Sequence, residues 1–179
     1  AASYLNHIGV EPGDIFLFFG NFHHVTKGPD GRYQYARKTG DFYQDNDLQV
    51  IWGYLQVGET LAAPEQQKAA PWHPHSIPRR TSNRTNVIFK AREHLSFAPT
   101  LPGAGVLPFD KNRVLTLPGA AKATWKYNPV YAPTNLLGCT RKNSAKDPLT
   151  GIYYAGIWQE LGLKESAACD DWCKSLITL

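Results

Sequence analysis

The chain has 179 residues, a formal net charge of +4 and 12% aromatic residues, enough for one domain with a real core and rather short for two. Its apolar and aromatic content favours a packed protein over a disordered one, and no apolar run approaches the length that crosses a bilayer. The start has neither a basic n-region nor the long apolar stretch of a secretory leader. A cytoplasmic protein without membrane contact is the expectation, and because the chain opens on Ala1 and contains no Met, natural residues are expected upstream.

In chain order, Ala1 to Ile8 reads as the end of a short helix, with Tyr4, Leu5 and Ile8 on one face and Gly9 as its stop. After the turn Glu11-Pro12-Gly13-Asp14, the continuous run Ile15 to Phe19 predicts a strand buried on both faces. A break at Gly20 is followed by strand from Phe22 to Thr26. Lys27-Gly28-Pro29-Asp30-Gly31 then predicts a tight turn into a short strand at Arg32 to Ala36. Leu48 to Val57 is the most strand-like stretch, with Gly53 marking a bulge or a close backbone approach.

Ala62 to Thr85 reads as a long irregular connection, of a length that is uncommon unless it has a role. Strand resumes at Asn86 to Ala91, Leu101 to Pro108 reads as loop, and Arg113 to Leu117 as a further short strand. Asn128 to Lys146 is irregular, Gly151 to Trp158 a final strand, and Ser166 to Leu179 a helix with Ala168, Trp172, Leu176 and Leu179 on one stripe. The expected fold is a single α+β, β-rich domain over residues 1–179. Its centre would be a small, strongly curved sheet or a partly open β-barrel, with flanking helices.

The charge is polarised. Residues 66–146 hold 13 Lys and Arg against only Glu93 and Asp110, a balance of +11, whereas the remainder carries −7. Such polarity points to a polyanionic partner, because phosphate contacts supply most nonspecific nucleic-acid affinity, or else to solvated loops. The densest basic run is Arg79, Arg80, Arg84, Lys90 and Arg92, with Lys126 beside Trp125. Cations interleaved with aromatics are what single-strand or flipped-base binding uses.

Trp52, Tyr54, Trp125 and Trp158 are the candidate base platforms, although each taken singly reads more readily as core. Trp52 and Tyr54, two apart on a strand, are expected on the same face. His73 and His75 flank Pro74 and offer base or phosphate contact, or a turn; no third residue at ligand spacing makes them a metal site. Gln159 and Glu160 supply donors and acceptors beside Trp158, suited to reading a base edge.

Asp14 caps its turn. Cys169 and Cys173, four apart on a helix, stand about 5–6 Å apart at Cβ, wider than a disulfide prefers, so they and Cys139 read as free thiols. Cys139, with Arg141 and Lys142 nearby, is a weak nucleophile candidate with no assigned base. No catalytic or cofactor-binding signature is present: no nucleophile elbow, P-loop, dinucleotide fingerprint or zinc-deaminase motif.

Several short motifs occur in a recognisable order. Pro12-Gly13-Asp14-Ile15-Phe16-Leu17-Phe18-Phe19-Gly20 is followed by Ile51-Trp52-Gly53-Tyr54-Leu55-Gln56-Val57-Gly58-Glu59, His73-Pro74-His75 and Asn86-Val87-Ile88-Phe89-Lys90-Ala91. Leu115-Thr116-Leu117, Lys122-Ala123-Thr124-Trp125-Lys126 and Gly156-Ile157-Trp158-Gln159-Glu160 complete the series. This order resembles the nucleotide modification associated domain 3 (Nmad3) family, known mainly from comparative analysis of phage and bacterial DNA-modification systems. Where that family tends to have Trp and an Arg-like residue after Phe-Phe-Gly, this chain has Asn21 and His24.

A looser similarity of layout is to PUA-like domains, including the ASCH, EVE and YTH groups, small β-barrels that hold a base in an aromatic-lined pocket. The resemblance implies a nucleic-acid-binding domain, DNA before RNA, that recognises a modified or flipped base without a cofactor and works with partner proteins of a modification system. The alternatives are a base-modifying enzyme, with its site between His73-Pro74-His75 and Trp158-Gln159-Glu160, and a scaffold subunit.

Overall fold

In a computed structural model that describes residues 2–137, 151–153 and 160–179, helix α1 (Ala2–His7) ends at Gly9 and a turn leads into β1 (Ile15–Phe22). A small hairpin follows, β2 (Val25–Lys27) and β3 (Tyr33–Tyr35), then the single turn of α2 (Phe42–Asp45). The long strand β4 (Leu48–Leu61) is the spine of the domain. It pairs antiparallel with β1 along Leu48 to Gln56, with β5 (Ile88–Ala91) at its far end, and with β6 (Ala104–Val106) at its middle.

The connection between β4 and β5 is ordered by two single-turn helices, α3 (Pro64–Lys68) and α4 (Pro78–Thr81), and a 3-10 turn at Pro74–Ser76. Further on, β7 (Thr124–Lys126) pairs with β9 (Gly151–Tyr153), and β8 (Leu136–Leu137) with β10 (Gly162–Leu163). The last helix, α5 (Ala167–Thr178), starts at Ser166, whose hydroxyl accepts from the Cys169 amide as an N-cap.

One face of the β1–β4 sheet carries the core. Ile51, Tyr54, Leu107, Leu115, Trp125, Ile152, Leu176 and Ile177 are buried there, with Leu17 and Phe19 from β1 packed against them. Each such aliphatic side chain contributes about 1.5–3 kcal/mol on burial. Buried amides tie down what strands cannot. The Gln56 side chain donates to the Gly13 carbonyl (3.0 Å) and Ser96 Oγ (2.9 Å), while its Oε1 accepts from the Ser96 amide (2.8 Å).

The α+β, sheet-rich class is as expected, and the sheet is open among the described residues: β1 stands at one end of its order, with no closure into a barrel. Several expectations are corrected. The Phe-rich run is not buried on both faces, because the face of β1 that carries Phe18 and Phe22 is exposed and the strand is half-buried. It also runs through Gly20 to Phe22, so the break falls at His23 and His24. Residues of the expected loop Leu101 to Pro108 form β6. Arg113 to Leu117 makes bridges, Val50 with Val114 and Thr116 with Trp125, and no strand.

Only the start of the expected last strand, Gly151–Tyr153, lies among the described residues, and β10 follows it. The buried stripe of α5 is Cys173, Leu176 and Ile177 with Trp172 half-buried, whereas Ala168 and Leu179 are exposed. Among the described residues, no helix is long and apolar enough to cross a membrane.

Candidate functional site: an aromatic sheet face and its clefts

The second face of the sheet is built from alternation in β1. Phe16, Phe18, Gly20 and Phe22 are two apart and therefore share a side, opposite the core-facing Leu17 and Phe19. Phe18 pairs with Gly53 and Phe19 with Ile51, so Trp52 is an extra residue at a bulge. The Trp52 ring joins the Phe row, its centroid 5.8 Å from that of Phe18 and stacked. Phe16 lies 6.3 Å from Phe18 and 5.4 Å from Phe89 of β5, which extends the row.

Gly20 makes room for it: a Cβ there would stand 3.2 Å from the Phe22 ring and 3.4 Å from Trp52 Nε1. Phe18, Trp52 and Phe22 remain 38–46% exposed, a large apolar surface to leave in water.

At one end the row opens into a cleft of about 550 Å³ bordered by Phe22, Tyr43, Trp52, Phe109 and Lys111. Tyr43 is set by the N-cap of α2, where Asp41 Oδ1 accepts from its amide at 2.8 Å. Lys111 Nζ sits 4.7 Å over the Tyr43 ring and 3.8 Å from Asp41 Oδ2, a cation held by an aromatic face and a carboxylate together. His23, also at the border of the cleft, donates from Nδ1 to Asp47 Oδ1 (3.0 Å), and Lys122 reaches Asp47 Oδ2 (3.5 Å). The His23 hydrogen bond, and after it the Lys122 charge, holds the Asp47 carboxyl below its ordinary range.

A second cleft runs along β1 and is bordered by Phe16, Phe18 and Trp52 and by His73 and His75. The histidine segment is positioned from below by buried amides. Gln67 donates to the Ala62 and Asn86 carbonyls (both 2.9 Å), and the Asn86 side chain donates to Gln67 Oε1 (2.7 Å) and to the His75 carbonyl (3.0 Å). His73 Nδ1 accepts from the His75 amide at 3.1 Å, so that nitrogen carries no proton. Desolvation, and next the His75 charge, lowers the His73 pKa from its ordinary value. The two rings are 5.3 Å apart and perpendicular, and His75 Nδ1 is buried with no hydrogen-bond partner among the described residues.

Of the residues singled out from sequence, the structure brings Trp52, His73, His75 and Glu160 to the border of this second cleft. Trp125 also borders it, but is only 3% exposed: Phe19 and Tyr131 pack edge-on against it and its indole N–H donates to Gln49 Oε1. Tyr54 is buried and its hydroxyl donates to the Pro102 carbonyl (3.1 Å). The expectation that Trp52 and Tyr54 share a face is overturned by the bulge, which places one outside and the other in the core.

Arg79, Arg80, Arg84 and Arg92 are exposed and border neither cleft. Lys90 pairs with Glu59 across β4 and β5 at 3.2 Å. Lys126 donates to the Lys111 carbonyl at 3.3 Å, and burial lowers its amine pKa. Trp158 and Gln159 lie outside the described residues, as do Cys139, Arg141 and Lys142.

Phe18, Phe22, Tyr43, Phe109 and Lys111 were not singled out. The alternation of Phe16, Phe18 and Phe22 was a usable signal for the row; nothing local announces that Tyr43 and Lys111 meet.

The profile of the family described as nucleotide modification associated domain 3 matches residues 1–160, and the chain belongs to that family. No curated protein and no solved structure matches it.

Proposed function

We propose that this member of the nucleotide modification associated domain 3 family binds nucleic acid, DNA before RNA, and holds an unstacked base, flipped or modified, against Trp52. The observation that carries the reading is the stacked, half-exposed Phe18–Trp52 pair opening into a cleft walled by Tyr43, Phe109 and Lys111. Stacking on an aromatic side chain is worth about 1–3 kcal/mol per base and suits any base, because each has a π-face. The cleft lies within the range of roughly 300–1,000 Å³ that small ligands occupy. Lys111 at its border supplies a cation for a phosphate. The family's association with nucleotide modification supports a base as the ligand, and a PUA-like domain would likewise hold one in an aromatic pocket.

Anisotropy of a labelled single-stranded DNA oligonucleotide tests the reading. Binding should weaken as salt rises, and Trp52→Ala should weaken it about tenfold. Unchanged affinity in Trp52→Ala overturns the base platform. Binding indifferent to salt overturns nucleic-acid recognition and favours a scaffold that uses the same exposed rings against a partner protein.

A second reading, a base-modifying enzyme, is favoured by one observation. His75 Nδ1 is a buried, unpaired nitrogen beside the pKa-depressed His73 on the border of the cleft that Trp52 shares. Loss of turnover with intact binding in His75→Ala would establish it.

A further inference from the structure

The hairpin of β2 and β3 contributes nothing to the core. All six of its strand residues are exposed, and Tyr33 and Tyr35 are 74% exposed each. Two-stranded ribbons are marginal in isolation, yet this one is built to hold its shape. Its tip is a tight turn in which the Gly31 amide donates to the Gly28 carbonyl (2.9 Å) and the Gly28 amide to the Arg32 carbonyl (2.8 Å). Gly31 takes a φ of +79°, the left-handed conformation such a hairpin turn demands. At the base, the Ala36 amide donates to the His24 carbonyl, and the Tyr35 ring packs edge-on against His23 at 4.4 Å. His23 is itself fixed to Asp47. The ribbon therefore projects as a preformed element from the border of the aromatic cleft, which His23, His24 and Val25 help to line.

Its register aligns one face. Val25 pairs with Tyr35 and Lys27 with Tyr33, so two tyrosines and a lysine look the same way. Residues 25–38 contain Lys27, Arg32, Arg37 and Lys38 against the single acid Asp30. Arg32 is engaged loosely with Asp30 at 3.8 Å, and Lys27 and Arg37 make no ion pair among the described residues. This cationic ribbon lies in the half of the chain whose overall balance is acidic, so charge counted over long windows conceals it.

Resting on the reading of the Trp52 cleft as a base site, we propose that the β2–β3 ribbon enters the major groove of B-form duplex DNA next to the captured base. Lys27 and Arg37 would contact phosphates, and Tyr33 and Tyr35 would face the groove wall. Charge complementarity selects a polyanion, and the shape selects its form. A B-DNA major groove is about 12 Å wide and admits a two-stranded ribbon; the A-form groove of duplex RNA is too narrow for side chains to read.

The experiment measures affinity of the full chain for a 20-base-pair DNA duplex, an RNA duplex of the same sequence, and a single-stranded DNA oligonucleotide, roughly at 50 and 200 mM salt. The wild-type chain should prefer the DNA duplex to the RNA duplex at least tenfold. Lys27→Ala with Arg37→Ala should weaken duplex DNA binding about tenfold and flatten its salt dependence by about two phosphates' worth, while single-strand binding is unchanged. Tyr33→Ser, equally exposed, provides a second variant that leaves charge untouched and should weaken duplex binding alone. Wild-type duplex affinity in these variants, or equal affinity for the two duplexes, overturns the ribbon's role. Loss of single-strand binding in Trp52→Ala bears on the cleft alone, so the two can fail separately; no binding to any of the three nucleic acids overturns both.

Discussion

Trp52 stacks on Phe18, although a regular ladder gives Trp52 a partner on the opposite strand and leaves Tyr54 on its face. One extra residue in β4 does this, pairing Phe18 with Gly53 and Phe19 with Ile51. The same bulge turns Tyr54 inward to the core, where its hydroxyl meets the Pro102 carbonyl. A strand reads sequence with period two, so one inserted residue exchanges which side chains meet solvent and which meet the core.

Further along β4, where Gly103 passes Gln56 and Arg92, the sheet has no spare volume. A Cβ on Gly103 would stand 2.0 Å from the Arg92 carbonyl oxygen and 2.6 Å from its carbon, both backbone atoms that cannot swing aside. Gly103→Ala should destabilise the domain by about 3 kcal/mol, at the upper end of overpacking costs. Urea denaturation checks it; a midpoint equal to that of the wild-type chain would contradict the close approach.

Arg113 is a buried cation, 2% exposed, whose guanidinium donates to the carbonyls of Leu176 (2.9 Å), Pro108 (2.9 Å) and Leu179 (3.2 Å). It caps the end of α5, where backbone carbonyls lack partners and the helix dipole is negative. Arg113→Ala should cost about 3 kcal/mol by leaving buried acceptors unpaired. Arg113→Lys should recover little, because one ammonium cannot reproduce the planar fork. Hydrogen exchange in the last turn of α5 should accelerate in both variants.

His73 has a folded-state pKa below its ordinary value of 6.5, and its Nδ1 must stay unprotonated to accept from the His75 amide. The unfolded chain therefore binds the proton more readily, so this contribution to stability is complete above pH 6.5. It is lost as pH falls through the depressed folded value. NMR titration should place His73 below 6.5, and His75→Ala should move it upward by removing the neighbouring charge. An unmoved His73 in that variant would show that desolvation acts alone.

Cys169 and Cys173 form an unequal pair. A hydrogen bond from the Cys173 thiol lowers the Cys169 pKa, while that bond and burial push Cys173 up. Thiolate is the reactive form, so iodoacetamide at neutral pH should label Cys169 well before Cys173. Cys173→Ala should slow labelling of Cys169 by removing the donor. Mass spectrometry of timed digests reads both rates.

Much of the fold was legible because its signals are local. The turn at Pro29-Asp30-Gly31, the Gly9 stop, the apolar run of β4 and the last helix each rest on signals within a few residues, and all appear in the structure. The aromatic site was half legible: Trp52, His73 and His75 stood out by residue type, whereas the row of Phe16, Phe18 and Phe22 was present in the alternation but not singled out. The basic run misled. Arg79, Arg80 and Arg84 lie away from both clefts, Arg113 is internal, and Lys111, unremarkable in sequence, borders the cleft.

By itself, then, the sequence determined the family, the long central strand, the hairpin and the terminal helix, since periodicity and turn chemistry are properties of adjacent residues. Tertiary structure alone decided which aromatic faces solvent and which cation is buried. Those choices depend on a one-residue register shift between β1 and β4 and on carbonyls more than sixty residues away from Arg113, and neither is written in the spacing of neighbours.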